Sequence, residues 1–121
     1  MIEKEVLEKV ITEIRTKYID TKLPSQKEEI SLPSVRINIS SQPFIKGNII
    51  NKTEAMTEIE LTITVYANNF YKCLEMSKEI RDIMYKIGFE RSNQTKPYED
   101  SILGRFKQEE FYKATTTAIK L

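Results

Sequence analysis

The sequence has no histidine among its 121 residues, and Cys73 is its single cysteine. The absence of histidine removes the commonest general base, the commonest zinc ligand and every histidine-dependent triad. One cysteine cannot form an intramolecular disulfide, which favours a reducing, cytoplasmic setting. The sequence therefore predicts no catalytic residue and no metal site.

Glycine and long apolar runs are scarce as well. Gly47, Gly88 and Gly104 lie too far apart to form a phosphate-binding loop, and no dinucleotide fingerprint occurs. No apolar run approaches the roughly 20 residues that span a bilayer, and the first residues lack the pattern of a secretory signal. The sequence therefore offers no nucleotide site and no reason to expect a membrane partner.

The charges are balanced, with 19 Lys and Arg against 18 Asp and Glu. Bulk charge thus gives no reason to expect binding to nucleic acid or to a membrane surface. A chain of this length buries roughly two thirds of its unfolded surface without a disulfide or metal. We expect one domain over residues 1–121.

A strand followed by an amphipathic helix, within residues 56–88, forms the centre of the predicted fold. Apolar residues alternate with polar ones over residues 57–66, as in a strand with one buried face. An asparagine at 68 or 69 can cap the following helix, and Gly88 ends it. The residues of the helical stripe are Cys73, Met76, Ser77, Ile80, Ile83, Met84 and Ile87.

The segments on either side of this unit complete an α+β domain. Periodic apolar residues predict a first helix over residues 2–18, and Pro24 and Pro33 indicate a surface connection over residues 20–34. Alternation over residues 35–39 predicts a strand that forms a hairpin with the central strand. Residues 89–93 are predicted to be extended, residues 94–101 a turn or loop, and residues 103–121 a long final strand at a sheet edge.

This pattern predicts a small antiparallel or mixed sheet of about four strands, with two helices packed on one face and a long hairpin loop. The loop, residues 42–55, is longer than the usual two to five residues. It either packs locally on the domain or projects as an assembly arm that contacts a partner. The residues assigned to the arm are Phe44, Ile45, Gly47, Ile49 and Ile50.

Two chemical roles, a nucleophilic cysteine and an RNA-binding strand, fit the sequence less well than structural roles do. Cys73 lies on the helical stripe, so a buried hydrophobic role fits it better than a nucleophilic one. Residues 104–111 begin like the aromatic strand of an RNA-binding module, but acidic residues occupy positions where bases would stack.

The order of elements resembles that of the tail terminator, or tail completion, proteins of long-tailed bacteriophages and phage-tail-like particles. The resemblance covers nearly the whole chain. Its motifs are the strand ending Ile63-Thr-Val-Tyr66, the helix segment Ile80-Arg-Asp-Ile-Met84 before Gly88-Phe89, the acidic turn Tyr98-Glu-Asp100, and the strand opening Leu103-Gly-Arg-Phe-Lys107.

The resemblance implies a non-enzymatic subunit without a cofactor. Six copies would form a ring that ends tail-tube growth and joins the tube to the head side. The implied partners are other copies of the chain, the tail tube protein, neck or head-completion proteins and, in some particles, a sheath. DNA would only pass through the lumen. The implied location is a virion or phage-tail-like particle that is assembled in the bacterial cytoplasm.

Two other functions fit the same fold. One is a head-tail joining or adaptor protein of the neck, which would differ mainly in the ring on which it stacks. The other is a small non-enzymatic regulatory or scaffolding domain that dimerises through a sheet edge.

Overall fold

The computed structural model describes residues 2–24, 31–46, 56–100 and 104–121, which form two helices and one mixed sheet. The predicted α+β class is confirmed, although the described sheet has six strands rather than about four. The elements are α1 (Ile2–Arg15), β1 (Thr21–Lys22), β2 (Ser34–Lys46), β3 (Met56–Ala67), α2 (Phe70–Ile87), β4 (Glu90–Gln94), β5 (Tyr98–Asp100) and β6 (Arg105–Thr115).

The core lies between β3 and α2, as the alternating and helical patterns predict. Every second residue of β3 from Ile59 to Ala67 is fully buried, whereas the residues between them are half-buried on the other face. The described side chains of β2 and β6 add Val35, Ile37 and Tyr112 to the same buried face. One face of the sheet is therefore covered by helices and the other remains polar.

Both ends of α2 are fixed by the predicted capping residues. Asn69 is the N-cap, and its side-chain oxygen accepts a hydrogen bond from the Lys72 backbone N–H at 2.8 Å. Gly88 ends the helix with φ of 119°, and its N–H donates to the carbonyls of Met84 and Tyr85. Glycine adopts this positive φ at little cost, which explains why the helix stops there.

Helix α1 lies antiparallel to α2 and covers the β2 side of the core. Val6, Val10 and Ile14 are fully buried along its inner stripe. Beyond its C-terminal end, Lys17 Nζ lies 3.1 Å from Glu79 Oε2 in the middle of α2, whereas Lys9 lines a groove with Lys86 in the last turn of α2. Two helices thus pack on one face of the sheet, as predicted.

The final strand, β6, lies inside the sheet rather than at its edge. The strand order is β1-β2-β3-β6-β4, and β5 also pairs with β6. Between those two short strands, Thr95 N–H donates to the Glu109 carbonyl at 2.8 Å, so β6 is paired on both sides. The predicted edge position is wrong, because sequence-adjacent segments β4 and β5 fold back onto β6.

Three boundaries also differ from the sequence predictions. The surface connection over residues 20–34 contains β1, which pairs in parallel with β2, and the turn over residues 94–101 contains β5. Strand β6 ends at Thr115, after which the chain turns and the Lys120 N–H donates to the Ile87 carbonyl at 2.7 Å. The C-terminal residues therefore pack beside the end of α2 instead of extending the sheet.

Truncation of the central core should lower the free energy of unfolding strongly. Ile63 on β3 and Ile80 on α2 are both fully buried. We expect Ile63→Ala or Ile80→Ala to cost about 2–5 kcal/mol, since each removes buried methyl groups and leaves a cavity. Urea unfolding measures this, with Thr62→Ala on the opposite, half-buried face as a control expected to cost no more than about 1 kcal/mol. Equal effects at 62 and 63 would contradict the assigned buried face.

The C-terminal segment should depend on the absence of a side chain at Gly88. A Cβ there would lie 2.1 Å from the Ala118 carbonyl oxygen, whereas at Gly104, with φ of 62°, a Cβ would meet no described atom within 4 Å. Gly104→Ala should therefore cost only about 1–2 kcal/mol for its left-handed backbone. Gly88→Ala should cost more, because its φ of 119° lies outside the left-handed region open to alanine and because the 118–120 segment must also move. Thermal unfolding of both variants tests this, and equal losses would exclude a contribution from the close approach.

Candidate assembly surfaces

The β2–β3 hairpin carries the predicted assembly arm, and it is more regular than the sequence suggests. Phe44 and Ile45 lie in β2, opposite Glu58 and Thr57 of β3. The prediction that the loop begins at residue 42 is therefore wrong, because β2 continues to Lys46. Gly47, Ile49 and Ile50 lie outside the described residues. An arm that contacts a partner stays a prediction.

The predicted strand over residues 35–39 is shorter than β2 because Pro43, which usually interrupts a strand, lies inside β2. Pairing shifts between Ile39 and Ser41 and again between Ser41 and Phe44, so β2 contains two irregularities that surround Gln42 and Pro43. Where a strand bulges, a proline need not donate a ladder hydrogen bond. The strand can thus pass through Pro43 and resume its pairing with β3.

The hairpin extends beyond the rest of the sheet. Pairing between β3 and β6 ends at Glu58 and Thr115, whereas pairing between β2 and β3 continues to Lys46 and Met56. The last residues of the hairpin therefore form a two-stranded ribbon at one end of the domain. We call this ribbon, with the connecting residues 47–55, the hairpin arm.

An aromatic patch lies at the opposite end of the domain, where β3 passes into α2. The ring centroids of Phe70 and Tyr71 lie 5.6 Å apart, and those of Phe70 and Phe106 lie 6.5 Å apart, both in edge-to-face geometry. Tyr71 is 79% exposed and Leu74, one turn further along α2, is 41% exposed. Phe70, Tyr71, Leu74 and Phe106 define the aromatic patch.

Cationic and aromatic side chains also meet on the polar face of the sheet beside this patch. The Arg105 guanidinium carbon lies 4.5 Å from the ring centroid of Tyr66, and Lys107 Nζ lies 5.9 Å from the same centroid. Burial opposes the charge on Lys107, but interactions with Tyr66, Tyr98 and Glu109 outweigh this effect and raise its pKa. This end of the polar face therefore combines two cations and two tyrosines with the carboxylate of Glu109.

A buried polar network joins α2 to β4 and β6. Glu110 is fully buried, and its Oε1 accepts hydrogen bonds from Ser77 Oγ at 2.6 Å, Tyr112 OH at 3.1 Å and Arg91 Nη1 at 3.3 Å. Its other oxygen, Oε2, has no hydrogen-bond partner within the described part of the chain. Burial raises the pKa of Glu110 despite these donors. The network fixes one position of α2 over the sheet, since a shifted helix would leave the carboxyl group without Ser77.

The lone thiol belongs to the core. Cys73 is fully buried, as predicted, and burial raises the pKa of its thiol to about 11. A thiol of this kind is a poor nucleophile near neutral pH. Within the ranges that the structure describes, no three Cys, Asp or Glu side chains are grouped closely enough to hold a metal ion, and no helix is long and apolar enough to cross a membrane.

A groove of about 340 Å³ between α1, α2 and the C-terminal segment is lined largely by lysines. Lys9 Nζ lies 2.9 Å from Glu13 Oε1, and Lys17 pairs with Glu79, so two of these lysines serve ion pairs within the helix layer. Lys86 lies in the last turn of α2, where a cation interacts favourably with the helix dipole. Interactions within the helix layer thus explain why these lysines line the groove.

Comparison with known proteins gives a fold but no family. No protein-family model matches the sequence, and no curated protein matches it. Among solved structures, the chain is similar to a chain of the structure titled "Virion of native gene transfer agent (GTA) particle". The two are 9% identical with a TM-score of 0.61, over 88% of this chain and 90% of the other. At this identity the likeness establishes a shared fold.

The buried carboxyl group of Glu110 should make stability depend on pH. Its ordinary pKa is 4.5, and burial raises that pKa in the folded protein. The folded state therefore retains this proton more tightly than the unfolded state, so the Glu110 contribution to stability falls as pH rises from about 4.5 through the folded pKa. We expect Glu110→Gln to remove this decrease while its amide oxygen still accepts from Ser77.

Urea unfolding of Glu110→Gln and wild type between pH 4 and 8 measures the effect. Asp20 and Glu79, whose pKa values are lowered, act in the opposite direction, and comparison with the variant cancels their contribution. Glu109→Gln, on the neighbouring polar-face position, is the matched control. A difference between Glu110→Gln and wild type that did not vary with pH would refute the assigned role.

Proposed function

We propose that this chain is a structural subunit of a phage-like particle, and that copies of it form a ring that terminates the tail tube and joins it to the head side. The observation that carries the proposal is the match in fold to a chain of a gene transfer agent virion over nearly the full length of both chains. The sequence resemblance to tail terminator proteins independently points to the same kind of particle. Neither depends on a catalytic site.

The proposed subunit has no enzymatic activity and needs no cofactor. Its lone thiol is buried and the sequence contains no histidine, so neither a cysteine nucleophile nor an imidazole base is on offer. The proposed partners are other copies of the chain, the tail tube protein, neck or head-completion proteins and, in a contractile particle, the sheath. DNA would pass through the lumen without specific binding.

The sheet topology bears on how copies would associate. Strand β6 is paired on both sides, so it offers no open edge to a neighbour. A dimer that pairs through β6 would therefore have to displace β4 and β5, whereas the alternative scaffolding function, a dimer through a sheet edge, could still use the outer strands of the sheet. A neck adaptor protein would share the fold and differ in the ring to which it binds.

Imaging of the intact particle tests the proposal directly. Particles produced with an affinity tag on this chain should show a labelled ring of six copies at the head-side end of the tail tube. Loss of the chain should yield tubes of irregular length that do not join heads. A label along the tube, at the baseplate end or on the head alone would contradict terminator function, and a label on a neck ring one level higher would support the adaptor alternative.

Shortening the hairpin arm should separate folding from assembly. Lys46 and Met56 are directly opposite, so an Asn-Gly turn can replace residues 47–55 and close a regular two-residue hairpin. We expect this variant to unfold at nearly the wild-type temperature, because the described core lies between β3 and the helices, and to fail to terminate tubes. Ile49→Ser with Ile50→Ser keeps the loop length and tests whether apolar contact is the cause. Normal tube termination by the shortened variant would refute the assembly-arm hypothesis.

A further inference from the structure

A second groove, of about 490 Å³, lies between the C-terminal end of α2 and the start of β4. It is lined by Tyr85, Gly88, Phe89, Glu90 and Arg91. Of these described residues, Arg91 alone is cationic. Glu90 precedes it in the strand, so the alternation of side chains directs Glu90 to the other face of the sheet, away from the Arg91 side chain. The groove therefore combines one cation with two aromatic residues.

Arg91 is positioned by buried groups behind the groove. Its Nη1 lies 3.3 Å from Glu110 Oε1 and 3.5 Å from Ser77 Oγ, and its side chain is 18% exposed. These contacts use one of the guanidinium nitrogens. Within the part of the chain that the structure describes, Nε and Nη2 have no hydrogen-bond partner. Arg91 is thus held in place while most of its N–H donors stay unused.

The buried carboxyl group compensates the charge of Arg91 only in part. Glu110 Oε1 already accepts hydrogen bonds from Ser77 Oγ at 2.6 Å and from Tyr112 OH at 3.1 Å, both shorter than its contact with Arg91. Burial also raises the pKa of Glu110, which favours the neutral form of the carboxyl group. An external anion can therefore still gain from the guanidinium charge.

Tyr85 adds a second donor to the same groove. It is 52% exposed, and its hydroxyl has no hydrogen-bond partner among the described residues. We propose that this groove binds a carboxylate group, which pairs with the Arg91 guanidinium and accepts a hydrogen bond from the Tyr85 hydroxyl. The inference concerns a single copy of the chain and does not depend on the proposed function.

The chemistry of the groove favours a carboxylate over a phosphate. A planar carboxylate can accept two parallel N–H groups from one guanidinium, which Nε and Nη2 can supply. One cation balances a monoanion, whereas a phosphate dianion would keep a net charge next to the buried Glu110. The carboxylate belongs either to an acidic side chain of a neighbouring subunit or to a free small acid, since the groove recognises the same group in both.

The test is an NMR titration of the full-length protein with butyrate at constant ionic strength, because butyrate carries one carboxylate on a short alkyl chain. The readout is the backbone amide shifts of Gly88, Phe89 and Arg91. Butyramide is the uncharged control and inorganic phosphate the competing anion. Arg91→Gln and Tyr85→Phe remove the two donors, and Arg81→Gln, one turn before Tyr85 on α2, is the matched control. Circular dichroism and thermal unfolding check that each variant folds.

We expect butyrate to shift these amides saturably, and Arg91→Gln to bind butyrate at least about tenfold more weakly, since it loses a charge-assisted pair. Tyr85→Phe should bind about threefold more weakly, and Arg81→Gln like wild type. Tyr85→Phe leaves the contact between Arg91 and Glu110 intact, so it tests the groove even if Arg91→Gln unfolds. The inference is overturned if butyrate shifts none of these amides, if Arg91→Gln binds like wild type, or if butyramide or phosphate binds as tightly.

Incorporation of a folded Arg91→Gln protein into particles identifies the source of the carboxylate. Loss of incorporation together with loss of butyrate binding assigns the groove to an acidic side chain of a neighbouring subunit. Normal incorporation with loss of butyrate binding assigns it to a free acid. A chain that binds butyrate in the groove but forms no terminal ring would refute only the proposed function, and a ring-forming chain that binds no butyrate would refute only this inference.

Discussion

The fold depends on the burial of one face of β3 beneath α2. Ile59, Leu61, Ile63 and Val65 present a continuous apolar strip, and among the described elements the two helices cover it with matching apolar stripes. Burial of this strip removes apolar surface from water at about 25 cal/mol per Å², which is the largest favourable term available to the domain. The positions of β2 and β6 follow, because each must extend the same apolar face while pairing its backbone with β3.

The elements that could be predicted from the sequence are those whose structure is determined by their own residues. Periodicity defined α1, β3 and α2, and the caps at Asn69 and Gly88 lie where residue chemistry requires them. Strands β1 and β5 were missed because two or three residues are too short to show a period, and their pairing partners supply their stability. The internal position of β6 was missed for a related reason, since strand order depends on contacts between distant segments rather than on local pattern.

The hairpin arm and the aromatic patch differ in how visible they are in the sequence. Apolar residues in a long polar loop predict the hairpin arm. The aromatic patch has an equally direct signal in the sequence: Tyr71 and Leu74 lie off the stripe that Cys73 and Met76 define, so a helix that buries the stripe must expose them. Recognition that they lie opposite the hairpin arm needs the antiparallel course of β2 and β3, which only the folded chain provides.

Closure of a ring also constrains the direction of the hairpin arm. A heterologous contact gives a closed ring only if successive copies turn by a fixed angle, and otherwise it gives an open filament. The two irregularities of β2 between Ile39 and Phe44 lie at the base of the hairpin arm. Bulges bend a strand and increase its local twist, so they set the direction in which the arm leaves the domain. If the arm joins neighbouring copies, these bulges determine the angle between them, and a regular, unbulged β2 would direct the same contact along a different path.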